Sequence, residues 1–116
     1  MSSKYIDFDS RMPSIYWSDV TRASYLQRRV IVHSILYYQM DTSVISDKQF
    51  DQLSKQLVEL RKQMAKEEYQ KTTYYYCFKD FDGSTGFDLP DRLSQNDKRY
   101  LTMIANLVLV SYNGRK

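Results

Sequence analysis

The chain has 116 residues, of which 42% are hydrophobic and 27% are charged, so it can form one domain with a modest core. Its net charge of +3 is spread along the sequence, unlike the concentrated basic face of a dedicated nucleic-acid binder. A single cysteine excludes an internal disulfide, and one cysteine with one histidine excludes an ordinary structural zinc site. The three glycines and two prolines predict long helices with few tight turns.

The N-terminal residues contain no apolar signal core, and no apolar run is long enough to span a membrane. A single cysteine is also typical of a reducing compartment. We therefore expect a soluble protein of the cytoplasm.

The first predicted helix begins at Ser14 or Ser18, either of which can cap it, and ends near Tyr38. Five of its residues follow the three-four spacing of one helix face: Ala23, Leu26, Val30, His33 and Tyr37. This spacing predicts an amphipathic helix. The consecutive apolar residues from Val30 to Val32 also predict that the helix is buried on more than one side.

The second predicted helix begins after Ser46, because Gln49 three residues later completes a capping-box pattern. Asp47 places a negative charge in the first turn, where the helix dipole favours it. A second apolar face follows at the same spacing: Phe50, Leu53, Leu57, Leu60 and Met64. A loop of about seven residues joins the two helices, which predicts an antiparallel helical hairpin.

Residues 72–89 differ in composition from the helices before them. They begin with an aromatic run, which favours extended structure, and the segment 82–86 is a turn pattern. We predict a short extended or looped insert here. A third helix should begin at Asp91 or Asn96 and end near Tyr112. Its predicted apolar face contains Leu93, Tyr100, Ile104, Leu107 and Val108. The expected fold is mainly α, with residues 1–116 as a single small helical domain.

The segment His33–Asp51, with the sequence HSILYYQMDTSVISDKQFD, carries the most specific pattern. A tyrosine pair at a helix end is followed by a short loop, an Ile-Ser-Asp, a Phe-Asp and spaced leucines. In order these are Tyr37-Tyr38, Asp41, Ile45-Ser46-Asp47, Phe50-Asp51, Leu53, Leu57 and Leu60. Over residues 26–64 this pattern resembles the N-terminal Ia domain of bacterial NAD-dependent DNA ligases.

In that family the Ia domain recognises the nicotinamide mononucleotide half of NAD while a separate domain attacks the adenylyl phosphate. The resemblance implies that Tyr37, Tyr38, Asp47, Phe50 and Asp51 bind the ligand. A cationic nicotinamide ring can stack on aromatic faces, and nearby carboxylates favour its charge. Two positions depart from the family pattern. Phe50 stands where tyrosine is usual, and Tyr38 stands where some members have histidine.

The ligase nucleophile belongs to a Lys-x-Asp-Gly motif in a nucleotidyltransferase domain too large for these 116 residues. The chain contains Lys79-Asp80-Phe81-Asp82-Gly83, which has one residue too many between lysine and aspartate. We interpret it as a turn that mimics the motif. Cys77 is expected to be buried and inert rather than paired with His33. We therefore predict no catalytic residues, no metal site and no enzyme activity.

Each site residue also has a purely structural interpretation: Asp47 complements the helix dipole, Phe50 extends the leucine face, and Tyr37 packs on the first helix. The sequence thus leaves three functions open. The first is a non-catalytic binding protein for NAD or nicotinamide mononucleotide. The second is a helical interaction module, such as a phage-type accessory or inhibitor protein, with a protein partner or a second copy. The third is weak binding of single-stranded nucleic acid.

The third function would use an aromatic run, Tyr74-Tyr75-Tyr76 with Phe78, to stack bases. Lys71 and Lys79 flank this run and could contact phosphates. The same residues are explained by an extended segment with one buried face.

Overall fold

The computed structural model describes residues 17–83 and 88–114. They form six α-helices: α1 Asp19–Ser34, α2 Asp47–Gln63, α3 Lys66–Tyr69, α4 Tyr75–Phe78, α5 Leu89–Arg92 and α6 Gln95–Gly114. A π-helical segment, Ile35–Gln39, continues α1. The alternative cap Ser14, the N-terminal residues before it and part of the 82–86 turn pattern lie outside the described residues. The mainly α fold is confirmed.

Helix α1 begins where the Ser18 cap predicts, since the Ser18 hydroxyl accepts a hydrogen bond from the Thr21 backbone N–H at 3.2 Å. Ala23, Leu26 and Val30 are buried as expected. The prediction of burial on more than one side is also confirmed, because the segment 30–36 is buried without a break. Helix α1 is therefore the central helix, and α2, α3, α5 and α6 all contact it.

Helix α2 begins with the predicted capping box. The Ser46 backbone N–H donates to the Gln49 side-chain oxygen at 2.9 Å, and the Gln49 N–H donates to the Ser46 hydroxyl at 3.1 Å. Leu53 and Leu57 are buried, and α2 packs along α1 as the predicted hairpin. Because caps and apolar spacing are local features, the sequence predicts this hairpin well.

The extended structure predicted within residues 72–89 is wrong for the described part of that segment. It contains the one-turn helix α4 and the first residue of α5, and no strand. Four buried side chains, Tyr74, Cys77, Phe78 and Phe81, follow a three-four spacing instead of the alternation of a strand. Burial against the core thus overrides the preference of aromatic residues for extended structure.

Helix α6 buries a different face from the one predicted. Ile104 and Val108 are buried as expected, whereas Tyr100 and Leu107 are exposed. The remaining buried positions are Leu101, Ala105 and Ser111, and α6 packs with them against α1. The contact face is rotated relative to the prediction because apolar residues lie on both sides of this helix. Within the described residues, no helix is long and apolar enough to cross a membrane.

Candidate functional site

The connection between α1 and α2 starts with the π-helical segment Ile35–Gln39. The Met40 N–H donates to the Ile35 carbonyl at 3.0 Å, and the Thr42 N–H donates to the Leu36 carbonyl at 2.9 Å. Asp41 then adopts a φ of 50°, a left-handed conformation that aspartate tolerates better than most residues. Short π-helical segments are frequent at functional sites. This one ends α1 beside the start of α2.

The two tyrosines of the π segment project outward. Tyr37 is 50% exposed and Tyr38 is 40% exposed, while the neighbouring Ile35 and Leu36 are buried. The tyrosine rings form an edge-to-face pair with centroids 4.8 Å apart, which is a favourable aromatic geometry. The interpretation that Tyr37 only packs on the first helix does not agree with this exposure.

Three residues in the first two turns of α2 face the tyrosine pair across the loop. Asp47, Phe50 and Asp51 are spaced so that one helix face carries all three. Phe50 is partly buried, and both aspartates are exposed. One oxygen of Asp51 lies 3.0 Å from the Lys55 ammonium. The capping box fixes the start of the helix and therefore the position of this face.

A cavity of about 400 Å³ lies between these elements. Its wall contains all five residues that the resemblance implies, Tyr37, Tyr38, Asp47, Phe50 and Asp51, together with His33 and the loop residues 43–46. The structure therefore brings the predicted residues together around one space. Their role in binding stays a prediction.

The wall combines aromatic surface with negative charge. Asp47 and Asp51 are its acidic residues, and none of the described wall residues is an arginine or a lysine. Such a wall suits a flat, cationic ring, because aromatic faces and carboxylates both attract positive charge. The carboxylates and tyrosine hydroxyls can also hydrogen-bond to sugar hydroxyls.

Sequence reasoning assigned His33 only to the apolar face of α1, yet its side chain also belongs to the cavity wall. It is 3% exposed. The spacing of four residues between His33 and Tyr37 places both on one helix side, and this spacing could have identified His33. The loop residues Ser43 and Val44 were missed because no local pattern specifies how a loop folds over a cavity.

The segment Lys79–Gly83 is a structural turn. The Arg61 guanidinium donates to the Lys79 carbonyl at 2.7 Å and to the Phe81 carbonyl at 3.0 Å. Asp80 pairs with Arg92 at 2.9 Å, and this hydrogen bond holds the pKa of the Asp80 carboxyl below its usual value. These contacts give Asp80 and the backbone carbonyls of the turn structural partners.

Other residues considered for chemistry lie away from the cavity. Cys77 is buried, and burial raises the pKa of its thiol to about 11, so it is a poor nucleophile at neutral pH. Among residues 17–83 and 88–114, no group of three metal-binding side chains comes together. Tyr74 and Phe78 are buried in the core, so the aromatic run does not offer consecutive ring faces for stacking bases.

Comparison with known proteins gives one family. Residues 18–72 match the family described as DNA ligase-like, N-terminal NAD⁺-binding domain. No curated protein and no solved structure gives a significant match. The matched segment is just under half of the chain, extends beyond the predicted range of 26–64, and contains all of the described residues of the cavity wall. The predicted resemblance to the Ia domain is confirmed over this segment, whereas α4, α5 and α6 lie outside the match.

Proposed function

We propose that the cavity between the π segment and α2 binds the nicotinamide mononucleotide part of NAD without catalysing its reaction. One observation carries this proposal: the five residues that the Ia family implies as ligand contacts line the same cavity. The cavity volume of about 400 Å³ also lies within the range of small-molecule pockets.

Each of the five residues that the resemblance implies has a physical role in this proposal. The ring faces of Tyr37, Tyr38 and Phe50 would contact the nicotinamide ring. Asp47 and Asp51 would attract its positive charge and accept hydrogen bonds from the ribose hydroxyls. Phe50 keeps the stacking surface of the family's usual tyrosine but lacks its hydroxyl, so we expect one hydrogen bond fewer.

A binding role without catalysis agrees with the part of the ligase that the chain resembles. In that family the adenylyl phosphate is attacked by a separate domain, and the family match here covers the Ia domain. Within the described residues, Lys79 belongs to a structural turn and Cys77 is buried. The function supported best is therefore that of a nicotinamide nucleotide-binding protein.

Isothermal titration calorimetry of the full chain with nicotinamide mononucleotide and with NAD tests the proposal. Tyr37→Ala and Asp51→Ala should each weaken binding about tenfold, since a lost stacking or charged contact costs on the order of 1–2 kcal/mol. The double variant should show no heat of binding.

Tyr100→Ala is the matched control, because Tyr100 is a similarly exposed tyrosine that is not part of the cavity wall. It should bind like the original chain. Circular dichroism of every variant verifies the helical fold. A flat titration of the original chain at millimolar ligand, with the fold intact, would refute the proposal.

A further inference from the structure

We propose that a second cavity, at the C-terminal end of α2, binds a nucleoside diphosphate through its phosphates and its base. The cavity has a volume of about 500 Å³, and its wall is formed by the end of α2, by α3 and by the segment 75–80. None of the described residues of this wall belongs to the cavity between the π segment and α2. Three of them, Tyr75, Lys79 and Asp80, follow residue 72, where the family match ends. The family resemblance therefore does not assign a ligand to this site.

The wall of the second cavity is positively charged. Its cations are Arg61, Lys66 and Lys79, and Asp80 is the acidic residue among its described members. Asp80 is already paired with Arg92 at 2.9 Å, so its charge is largely offset. In the part of the chain that the structure describes, neither Lys66 nor Lys79 lies within ion-pair distance of a carboxylate. Two ammonium groups thus remain available beside one cavity, which favours a ligand with several negative charges.

Arg61 holds this wall together. Its guanidinium carbon lies 5.1 Å from the centroid of the Tyr69 ring. The same guanidinium donates to the Lys79 carbonyl at 2.7 Å and to the Phe81 carbonyl at 3.0 Å. These contacts fix the backbone that carries the Lys79 side chain, while the positive charge of Arg61 stays beside the cavity. Arg61 is therefore a positioning residue, and the two lysines are the groups that contact the phosphates.

The second cavity also offers aromatic and apolar surface for a base. Tyr69 is 4% exposed, and its ring meets the Tyr75 ring edge to face, with centroids 5.8 Å apart. Tyr75 and Met64 are only partly buried, so both can contact a ligand. Aromatic side chains stack on bases of any identity.

The size and chemistry of the second cavity suit a nucleotide better than a simple anion. Its volume of about 500 Å³ lies within the range of small-molecule sites. Inorganic phosphate or pyrophosphate would meet the two lysines and leave the surface of Tyr75 and Met64 unused. A nucleoside diphosphate carries its phosphates and its ring at opposite ends of one molecule, so it can contact both parts of the wall.

Isothermal titration calorimetry of the full chain tests the proposal with adenosine diphosphate (ADP), adenosine and pyrophosphate. The buffer contains no divalent cation, which would neutralise the phosphates. We expect ADP to bind at least about tenfold more tightly than either fragment, because adenosine lacks the charged contacts and pyrophosphate lacks the stacking contact. Raising the salt concentration from about 0.05 M to about 0.5 M should weaken ADP binding severalfold, since salt screens exposed charges.

Substitutions assign the binding to this wall. Lys66→Gln and Lys79→Gln should each weaken ADP binding about threefold to tenfold, as expected for a charge-assisted contact that water partly screens. Lys62→Gln is the matched control, because it removes the same charge from an exposed residue next to Arg61 that is not part of the wall. It should leave ADP binding unchanged.

Two further variants separate the ring contact and the other cavity. Tyr75→Leu should weaken ADP binding and leave pyrophosphate binding unchanged, because it removes only the aromatic face. Tyr37→Ala, which alters the cavity between the π segment and α2, should leave ADP binding unchanged. Circular dichroism verifies the fold of each variant. The lysine variants change exposed side chains, so they provide the test even if Tyr75→Leu does not fold.

Several results would overturn the proposal. One is the absence of heat with ADP at millimolar concentration, and another is an equal loss of affinity in Lys62→Gln and Lys79→Gln. Pyrophosphate binding as tight as that of ADP would identify a site for a bare polyanion. Tighter binding of a single-stranded oligonucleotide, weakened by Lys79→Gln, would assign the cavity to nucleic acid instead. None of these results bears on the proposed function, because the two walls share no described residue.

Discussion

Gln27 is a buried polar residue that helps to join the ligase-like segment to the rest of the chain. It is fully buried in α1. Its side-chain amide donates to the Thr72 hydroxyl at 2.9 Å, and its carbonyl accepts from the Tyr74 backbone N–H at 3.0 Å. A buried amide is tolerated only when its donors and acceptors find partners. These bonds fix the chain segment after α3 against the central helix.

The substitution Gln27→Leu should destabilise the protein even though leucine has a similar size and is apolar. It leaves the buried Tyr74 N–H without its acceptor, which costs about 1–3 kcal/mol in the free energy of unfolding. Urea denaturation measures this change. Gln52→Leu, at an exposed position of α2, is the control and should change the free energy by less than about 0.5 kcal/mol. Equal stabilities of the two variants would contradict the argument.

At the residue scale, the sequence identified the cavity residues whose positions follow from their spacing along the two helices. The resemblance aligned Tyr37, Tyr38 and Asp47 on neighbouring helix ends, and the structure places them around one cavity. It did not identify Gln27, because a polar residue on a helix is ordinarily assigned to the solvent side. Its hydrogen-bond partners are separated from it by 45 and 47 positions in the sequence, so a pattern of neighbouring residues cannot reveal them.

At the element scale, α1 and α2, which begin at predicted serine caps, were predicted well, whereas α3, α4 and α5, which have no side-chain cap, were not. Ser18 and Ser46 each mark a helix start within a few residues of the apolar face that follows. The π segment depends on how α1 packs, so local spacing does not indicate it. Short α4 lacks a side-chain cap, and its aromatic residues favour strands in isolation. Tertiary burial decides its conformation.

Helix α6 offers a direct test of which apolar face supports the fold. Ile104 is 8% exposed and Leu107 is 42% exposed. Ile104→Ala should lower the free energy of unfolding by about 2–4 kcal/mol, because it opens a cavity in the core. Leu107→Ala should lower it by less than about 1 kcal/mol, since much of this side chain already contacts water.

Chemical denaturation of the two variants gives the comparison. If Leu107→Ala lowered the free energy of unfolding more than Ile104→Ala, Leu107 would have to face α1, as the sequence alone predicted. In the structure, α6 instead turns four apolar residues towards solvent: Tyr100, Met103, Leu107 and Val110.

At the scale of the whole molecule, the core extends beyond the ligase-like segment. Among the described residues, nine of the nineteen buried hydrophobic side chains follow residue 72, where the family match ends. They belong to the same core cluster as the buried residues of α1, and α5 and α6 both contact α1. We therefore propose that the helices before and after residue 72 fold together as one domain.

A chain truncated after Thr72 tests this proposal. It would keep α1, α2 and the cavity wall, but it would expose the side of α1 that contacts α5 and α6. It would also lose the Tyr74 N–H that Gln27 binds. Small domains have only about 5–15 kcal/mol of net stability, and nearly half of the core would be missing.

We expect the truncated chain to show no cooperative thermal transition by circular dichroism and no heat of binding with nicotinamide mononucleotide, under conditions where the full chain shows both. Cooperative unfolding at a temperature close to that of the full chain would mean that the Ia segment is stable by itself. In that case the contacts of α5 and α6 with α1 would join two separate units, and the buried surface between them would contribute little to the fold of the cavity.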